Sequence, residues 1–233
     1  MLTAARTASG RARAAGFTLV ELLVVVAVIG ILTVIAVPNL VTWTRNATVR
    51  TTAEMIQDGL RKAQIEAVRQ GRQTAFVLTA APVTPAAFGT ATFPASSAAG
   101  TAPYWYAMTV PYLQNVAGEG FTLVAAAAAG QTSNNVVVAG PAVLCFNSYG
   151  QLTATSNSAL LACNALGTIN VYSSTGAATA PGLQYTVRIA AASGALGGDH
   201  PLQVNVGGGG QVRVCDPSRS ANPTSANPAP DGC

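Results

Sequence analysis

Residues Phe17 to Val37 form an apolar run of 21 residues whose only charge is Glu21, near its start. As a helix the run is about 31 Å long, the thickness of a bilayer's hydrocarbon core. Fifteen of the residues are Leu, Ile, Val or Phe. Together they favour insertion by roughly 7 kcal/mol, against about 3 kcal/mol for one acid at the helix centre and less near an end. Glu21 therefore does not prevent insertion, but an ionisable group in a bilayer calls for a partner. Arg6, Arg11 and Arg13 precede the run with no acid among them. The positive-inside bias then predicts a cytoplasmic N-terminus and a single-pass chain whose bulk is extracytoplasmic.

A cleaved secretory signal is the simpler alternative, with Val34-Ile35-Ala36 as a weak cleavage site. Pro38 close behind that site and the length of the run argue against it, and neither a signal nor a plain anchor explains Glu21. The stretch Gly16-Phe17-Thr18-Leu19-Val20-Glu21-Leu22-Leu23-Val24-Val25 resembles the prepilin signature of type IV pilins and type II secretion pseudopilins. The resemblance implies that a prepilin peptidase cuts after Gly16 and N-methylates Phe17. It further implies that Glu21 pairs with the Phe17 amine of a neighbouring pilin or pseudopilin subunit. Electrostatics agrees, because a carboxylate one turn into a helix is favoured by the helix dipole. The expected organisation is a leader over 1–16, a membrane and filament-core helix over 17–38, an amphipathic helix over 39–72 and an extracytoplasmic β domain over 73–233.

Charge narrows the function. Twelve Lys and Arg stand against eight Asp and Glu, but loss of residues 1–16 removes three Arg and leaves nine against eight, a net of +1. From Gln73 onward Arg188, Arg213 and Arg219 face Glu119, Asp199, Asp216 and Asp231, a net of −1. No broad nucleic-acid footprint survives.

Beyond the run, Pro38 is expected to kink or interrupt the helix. Val49, Ala53, Ile56, Leu60, Ala63 and Ala67 then recur at gaps of four and three, an apolar stripe for one face, with Gly71 as the stop. After Gln73 the period becomes two. Segments 74–78, 104–108, 135–138, 142–146, 168–172, 185–189, 202–206 and 211–215 read as strands, and 80–103 and 125–134 as loops. The fold class is α+β, a long N-terminal helix packed on an antiparallel β-sheet domain.

Four cysteines in an outward domain predict disulfides, and three connectivities are open. Cys145 with Cys163 and Cys215 with Cys233 is favoured, because each pair is close in sequence and the second ties down a Pro, Asn and Ser rich tail. Without a C-x-x-C pair and with one His, no metal or cofactor is expected. Gly207 to Gly210 lacks the residues of a phosphate loop and reads as a hairpin turn. Tyr104-Trp105-Tyr106 reads as alternating burial in a strand. His200 beside Asp199 reads as a turn residue, since neighbours in sequence do not make a triad and no nucleophile motif accompanies them. No catalytic residue is assigned, and the expectation is a non-enzyme.

Phe76 after the helix, Leu144-Cys145-Phe146-Asn147-Ser148-Tyr149-Gly150 and the closing Gly210-Gln211-Val212-Arg213-Val214-Cys215-Asp216-Pro217 resemble the GspH/FimT group of minor pilins and pseudopilins. The Cys-Asp-Pro ending leans to the pilus branch, with an H-type secretion pseudopilin as the alternative. Some members bind DNA for transformation through a C-terminal Gly-Arg-x-Arg. This chain has Gly210-Gln211-Val212-Arg213, one cation fewer, so weak and salt-sensitive DNA contact through Arg188, Arg213 and Arg219 is the expectation.

Overall fold

The computed structural model describes residues 17–89, 91–97, 99–101, 104–112, 119–127, 135–173, 176–189, 200–219, 229 and 231–233, without the side chains at 35, 38, 39, 99–101 and 170–178. The chain divides into two compact units, Met1–Val41 and Thr42–Cys233. One helix, α1 (Leu19–Gln70), contributes to both. Its backbone runs through Pro38 without a break, so the proline does not interrupt it.

In the second unit α1 presents the predicted stripe. Val49, Ala53, Ile56, Leu60, Ala63 and Ala67 are all at most 1% exposed. The helix ends where Gly71 takes φ +61°. The Gly71 amide donates to the Val68 carbonyl at 3.3 Å and the Arg72 amide to the Ala67 carbonyl at 3.1 Å. These paired bonds satisfy carbonyls that the helix end would otherwise leave unpaired, and the left-handed residue they require is one that glycine adopts without cost. The cations along the helix make local ion pairs: Arg50 with Glu54 at 3.0 Å, Lys62 with Asp58 at 2.7 Å and Arg69 with Glu66 at 2.5 Å.

Among the described residues eleven strands follow: β1 (Thr74–Thr79), β2 (Ala99–Thr101), β3 (Tyr104–Thr109), β4 (Thr122–Ala126), β5 (Val136–Ala139), β6 (Val143–Phe146), β7 (Leu152–Thr153), β8 (Gly167–Ser173), β9 (Gly176–Ile189), β10 (Leu202–Gly207) and β11 (Val212–Cys215). They form two antiparallel sheets rather than one. The first has the order β4-β3-β1-β6-β7, and the second β11-β10-β9-β5-β2, with β8 joined to β9. Parts of the segments expected as loops are strands: β2 lies in 80–103, and Ala125 and Ala126 belong to β4.

The main core joins the helix stripe to Phe76, Leu78, Leu144 and Phe146 of the first sheet and to Val138, Val187, Val204, Val206 and Val212 of the second. Each fully buried Leu, Ile or Val contributes about 1.5–3 kcal/mol. Trp105 lies against Gly59, where any side chain would strike the indole. A second core covers the other face of the first sheet, where Val77, Tyr106, Met108 and Cys145 meet Phe121 and Leu161, with Phe88 and Phe93 packed against them. All six residues of β1 are therefore buried, although period two would expose alternate ones. The same arrangement explains the aromatic triplet, because Trp105 enters the first core and Tyr106 the second.

Both disulfides join near neighbours, Cys145 to Cys163 and Cys215 to Cys233, each 18 residues apart. Around the first, Asn164 clamps Val143 by two bonds: its side-chain oxygen accepts from the Val143 amide at 2.9 Å, and its own amide donates to the Val143 carbonyl at 3.1 Å. At the second the tail returns beside β11, where the Asp216 amide donates to the Asp231 carbonyl at 2.7 Å and the Cys233 amide to the Asp216 carbonyl at 3.1 Å.

Candidate functional site: a capped apolar helix

The first turn of α1 is built by Thr18. Its carbonyl accepts the Leu22 amide at 3.2 Å and its hydroxyl accepts the Glu21 amide at 3.2 Å. Thr18 is thus the N-cap and Glu21 the third helical residue, the Thr-x-x-Glu spacing of a capping box. That spacing was present in the sequence and passed unread beside the apolar run. Phe17 precedes the cap, outside the helix and 83% exposed. Gly16, the other half of the expected cleavage junction, lies outside the described residues. Glu21 is exposed, and its carboxylate makes no hydrogen bond or ion pair among the described residues.

The helix that Glu21 heads has no polar face. Leu19, Val28, Ile29, Ile31, Leu32 and Val34 are all at least 50% exposed, and together they cover every side of it. Thr33 turns its hydroxyl onto the Gly30 carbonyl at 2.8 Å and so presents no free donor. A helix apolar all round is stable in lipid or in a bundle with others, not in water. Among the described residues no helix is long and apolar enough to cross a membrane. The expected span over Phe17–Val37 rests on the sequence.

The three arginines expected as DNA contacts do not gather. Arg213 on β11 is exposed and stands across from Asn205, which stands across from Gln184 on β9. Arg188, also exposed, is four residues further along β9, which puts it about 16 Å from Arg213 across two strand spacings. Arg219 is engaged, with Asp231 at 2.8 Å and Asp216 at 3.9 Å. Its hydrogen bond to Asp231 holds that carboxyl below its usual value. Gly210, the first residue of the Gly-Gln-Val-Arg stretch, takes φ +87° and lies against Gln64 and the Gly150 carbonyl, so packing alone demands glycine there.

His200 borders a cleft of about 480 Å³ with Asn46, Arg50, Glu54, Asp216 and Asp231, and its amide donates to Asn46 Oδ1 at 3.2 Å. Asp199 lies outside the described residues. Among the described residues no three His, Cys, Asp or Glu side chains are grouped to hold a metal ion.

An apolar helix with an acid in its capped first turn thus precedes a disulfide-bonded β domain. The family model described as the prokaryotic N-terminal methylation motif matches residues 11–37. The match is consistent with a type IV pilin-like protein. It implies processing by a prepilin peptidase and assembly with other pilins. No curated protein and no solved structure matches the chain.

Proposed function

We propose that the protein is a minor pilin or pseudopilin, cut after Gly16, N-methylated on Phe17, held in the inner membrane by residues 17–38 with its β domain in the periplasm, and assembled through that helix. The observation that carries this reading is the Glu21 carboxylate, without a partner among the described residues, at the head of a helix apolar on every side. A buried carboxylate needs a cation, and the new Phe17 amine of a neighbouring subunit supplies one within the same apolar environment. Pairing neutralises both charges and fixes the register of adjacent helices. Mass spectrometry of the protein from its host tests the processing step: an N-methylated Phe17 terminus is expected, and a chain beginning at Val37 or an uncut Met1 would refute it. Glu21→Ala is expected to leave membrane insertion intact and to reduce incorporation into filaments, read by shearing and immunoblot; equal incorporation would remove the pairing from the mechanism.

The pilus branch of the GspH/FimT group is preferred over an H-type secretion pseudopilin on the Cys215-Asp216-Pro217 ending. DNA capture ranks below both. The neutralisation of Arg219 and the separation of Arg188 from Arg213 keep these three arginines from forming a concentrated cationic surface for phosphate.

A further inference from the structure

The two disulfides sit in opposite surroundings. On β10 Val204 and Val206 enter the main core, and on β11 Val212 and Val214 face it too. Period two then turns Asn205 of β10 and Cys215 of β11 to the other face. The register sets them diagonally there, since Asn205 stands across from Arg213, two residues from Cys215. The Asn205 side-chain nitrogen, Nδ2, donates to Cys215 Sγ at 3.4 Å. Both residues are buried, and among the described residues Asn205 Oδ1 has no partner. A buried amide costs stability unless it is bonded, and the bond this one makes is to a disulfide sulfur.

At the other bridge Cys163 Sγ lies 3.6 Å from the Thr155 carbonyl oxygen, and Cys145 is buried in the second core with Tyr106, Met108 and Val143. A disulfide opens when a thiolate attacks one sulfur and the other leaves as a thiolate, so the rate follows access to the first and the stability of charge on the second. An N–H donor stabilises that charge, a carbonyl oxygen opposes it and an apolar core leaves it unsolvated. Cys233 is partly exposed and Cys215 only 5% exposed, so the accessible sulfur and the stabilised leaving group are the two ends of one bridge. Asp216 and Asp231 border the same cleft as Cys215 and disfavour charge there, with Arg219 in contact with both as the offset.

We propose that the Cys215–Cys233 bridge is an exchange site for a small-molecule thiol, with Cys233 as the sulfur attacked and Cys215 as the sulfur released. The thiol gives its proton to water and attacks Cys233 Sγ as the thiolate. A new S–S bond forms to Cys233 while the Cys215–Cys233 bond breaks. Its electron pair goes to Cys215, whose thiolate accepts the Asn205 N–H and then takes a proton from water. A second thiol that attacks the mixed disulfide releases Cys233 and departs in the oxidised small-molecule disulfide, so two thiols supply the two electrons that reduce the bridge. The Cys233 amide donates to the Asp216 and Arg219 carbonyls at 3.1 and 3.2 Å, and Arg219 pairs with Asp231. These bonds hold the two freed thiols near one another, which makes the exchange reversible.

Timed exposure of the folded full-length protein to glutathione, stopped by alkylation and mapped by mass spectrometry, tests the assignment. The Cys215–Cys233 bridge should open roughly tenfold faster than Cys145–Cys163. The first product should carry glutathione on Cys233 and the alkyl group on Cys215. Asn205→Ala should slow this opening roughly three- to tenfold and leave the rate at Cys145–Cys163 unchanged. Glutathione on Cys215, equal or earlier opening of Cys145–Cys163, or an unchanged rate in Asn205→Ala would each overturn the proposal. If Asn205→Ala opens both bridges faster, the domain itself has loosened, and the position of the adduct in the unsubstituted protein decides.

Discussion

The two halves of α1 share a backbone and differ in what their side chains ask of the surroundings. From Leu19 to Leu40 apolar residues point in every direction and are exposed, Val34 by 75%. From Val49 to Ala67 a narrower set of smaller residues lies on one face and is at most 1% exposed. The more hydrophobic half is the less buried one. Burial within a chain follows from apolar residues being aligned toward a partner that the same chain supplies, whereas an all-round apolar helix requires partners from outside.

The sharpest attempt to break this contrast is a matched pair of truncations. Leu60→Ala should destabilise the β domain by about 2–5 kcal/mol, because Leu60 is fully buried in the main core. Leu32→Ala, the same chemical change in the exposed half, should leave the domain's melting temperature unchanged in detergent. Equal effects from the two would show that the halves are energetically alike. A smaller effect is expected within the core itself. Among the described residues the buried Tyr185 hydroxyl has no hydrogen-bond partner, and burial pushes its ionisation upward. Tyr185→Phe should therefore be neutral or stabilising by up to about 1 kcal/mol in denaturant titration; a loss of more than that would reveal a bonded hydroxyl.

The smallest effect concerns the tail. Asp231 is held below its usual 3.8 by its hydrogen bond with Arg219. A depressed folded value means that the stabilisation is complete above the unfolded value and is lost as pH falls through the folded one. Tail anchoring should thus persist at pH 4 and weaken only below the ordinary carboxylate range. An NMR titration of the Asp231 carboxyl with a midpoint at or above 3.8 would contradict it.

Much of this architecture was legible, and the misses have physical causes. The helix stripe and Gly71 could be read because period 3.6 and a left-handed stop are local properties of sequence. Strand β2 and the first half of β9 escaped, since Ala99-Gly100-Thr101 and Gly176-Ala177-Ala178-Thr179-Ala180-Pro181 have the composition of loops and are made strands by their partners. Continuous burial of β1 was equally hidden, because alternation cannot announce that a second core covers the outer face. At the assembly site Glu21 stood out through its cost in an apolar run. Thr18, polar and inexpensive there, did not, although it organises the turn.

If the chain is cut as proposed, the Thr18 cap would act as a ruler for that processing. A peptidase must hold its substrate's backbone extended, and a helical backbone has already committed the carbonyls of its first turn to its own amides. By starting the helix at Leu19, the threonine leaves Phe17 and itself uncoiled and places the junction behind Phe17 two residues before the first helical position. On that proposal, the same hydroxyl that closes the first turn would set how far into the chain a membrane enzyme could reach before it met a structure it would have to unwind.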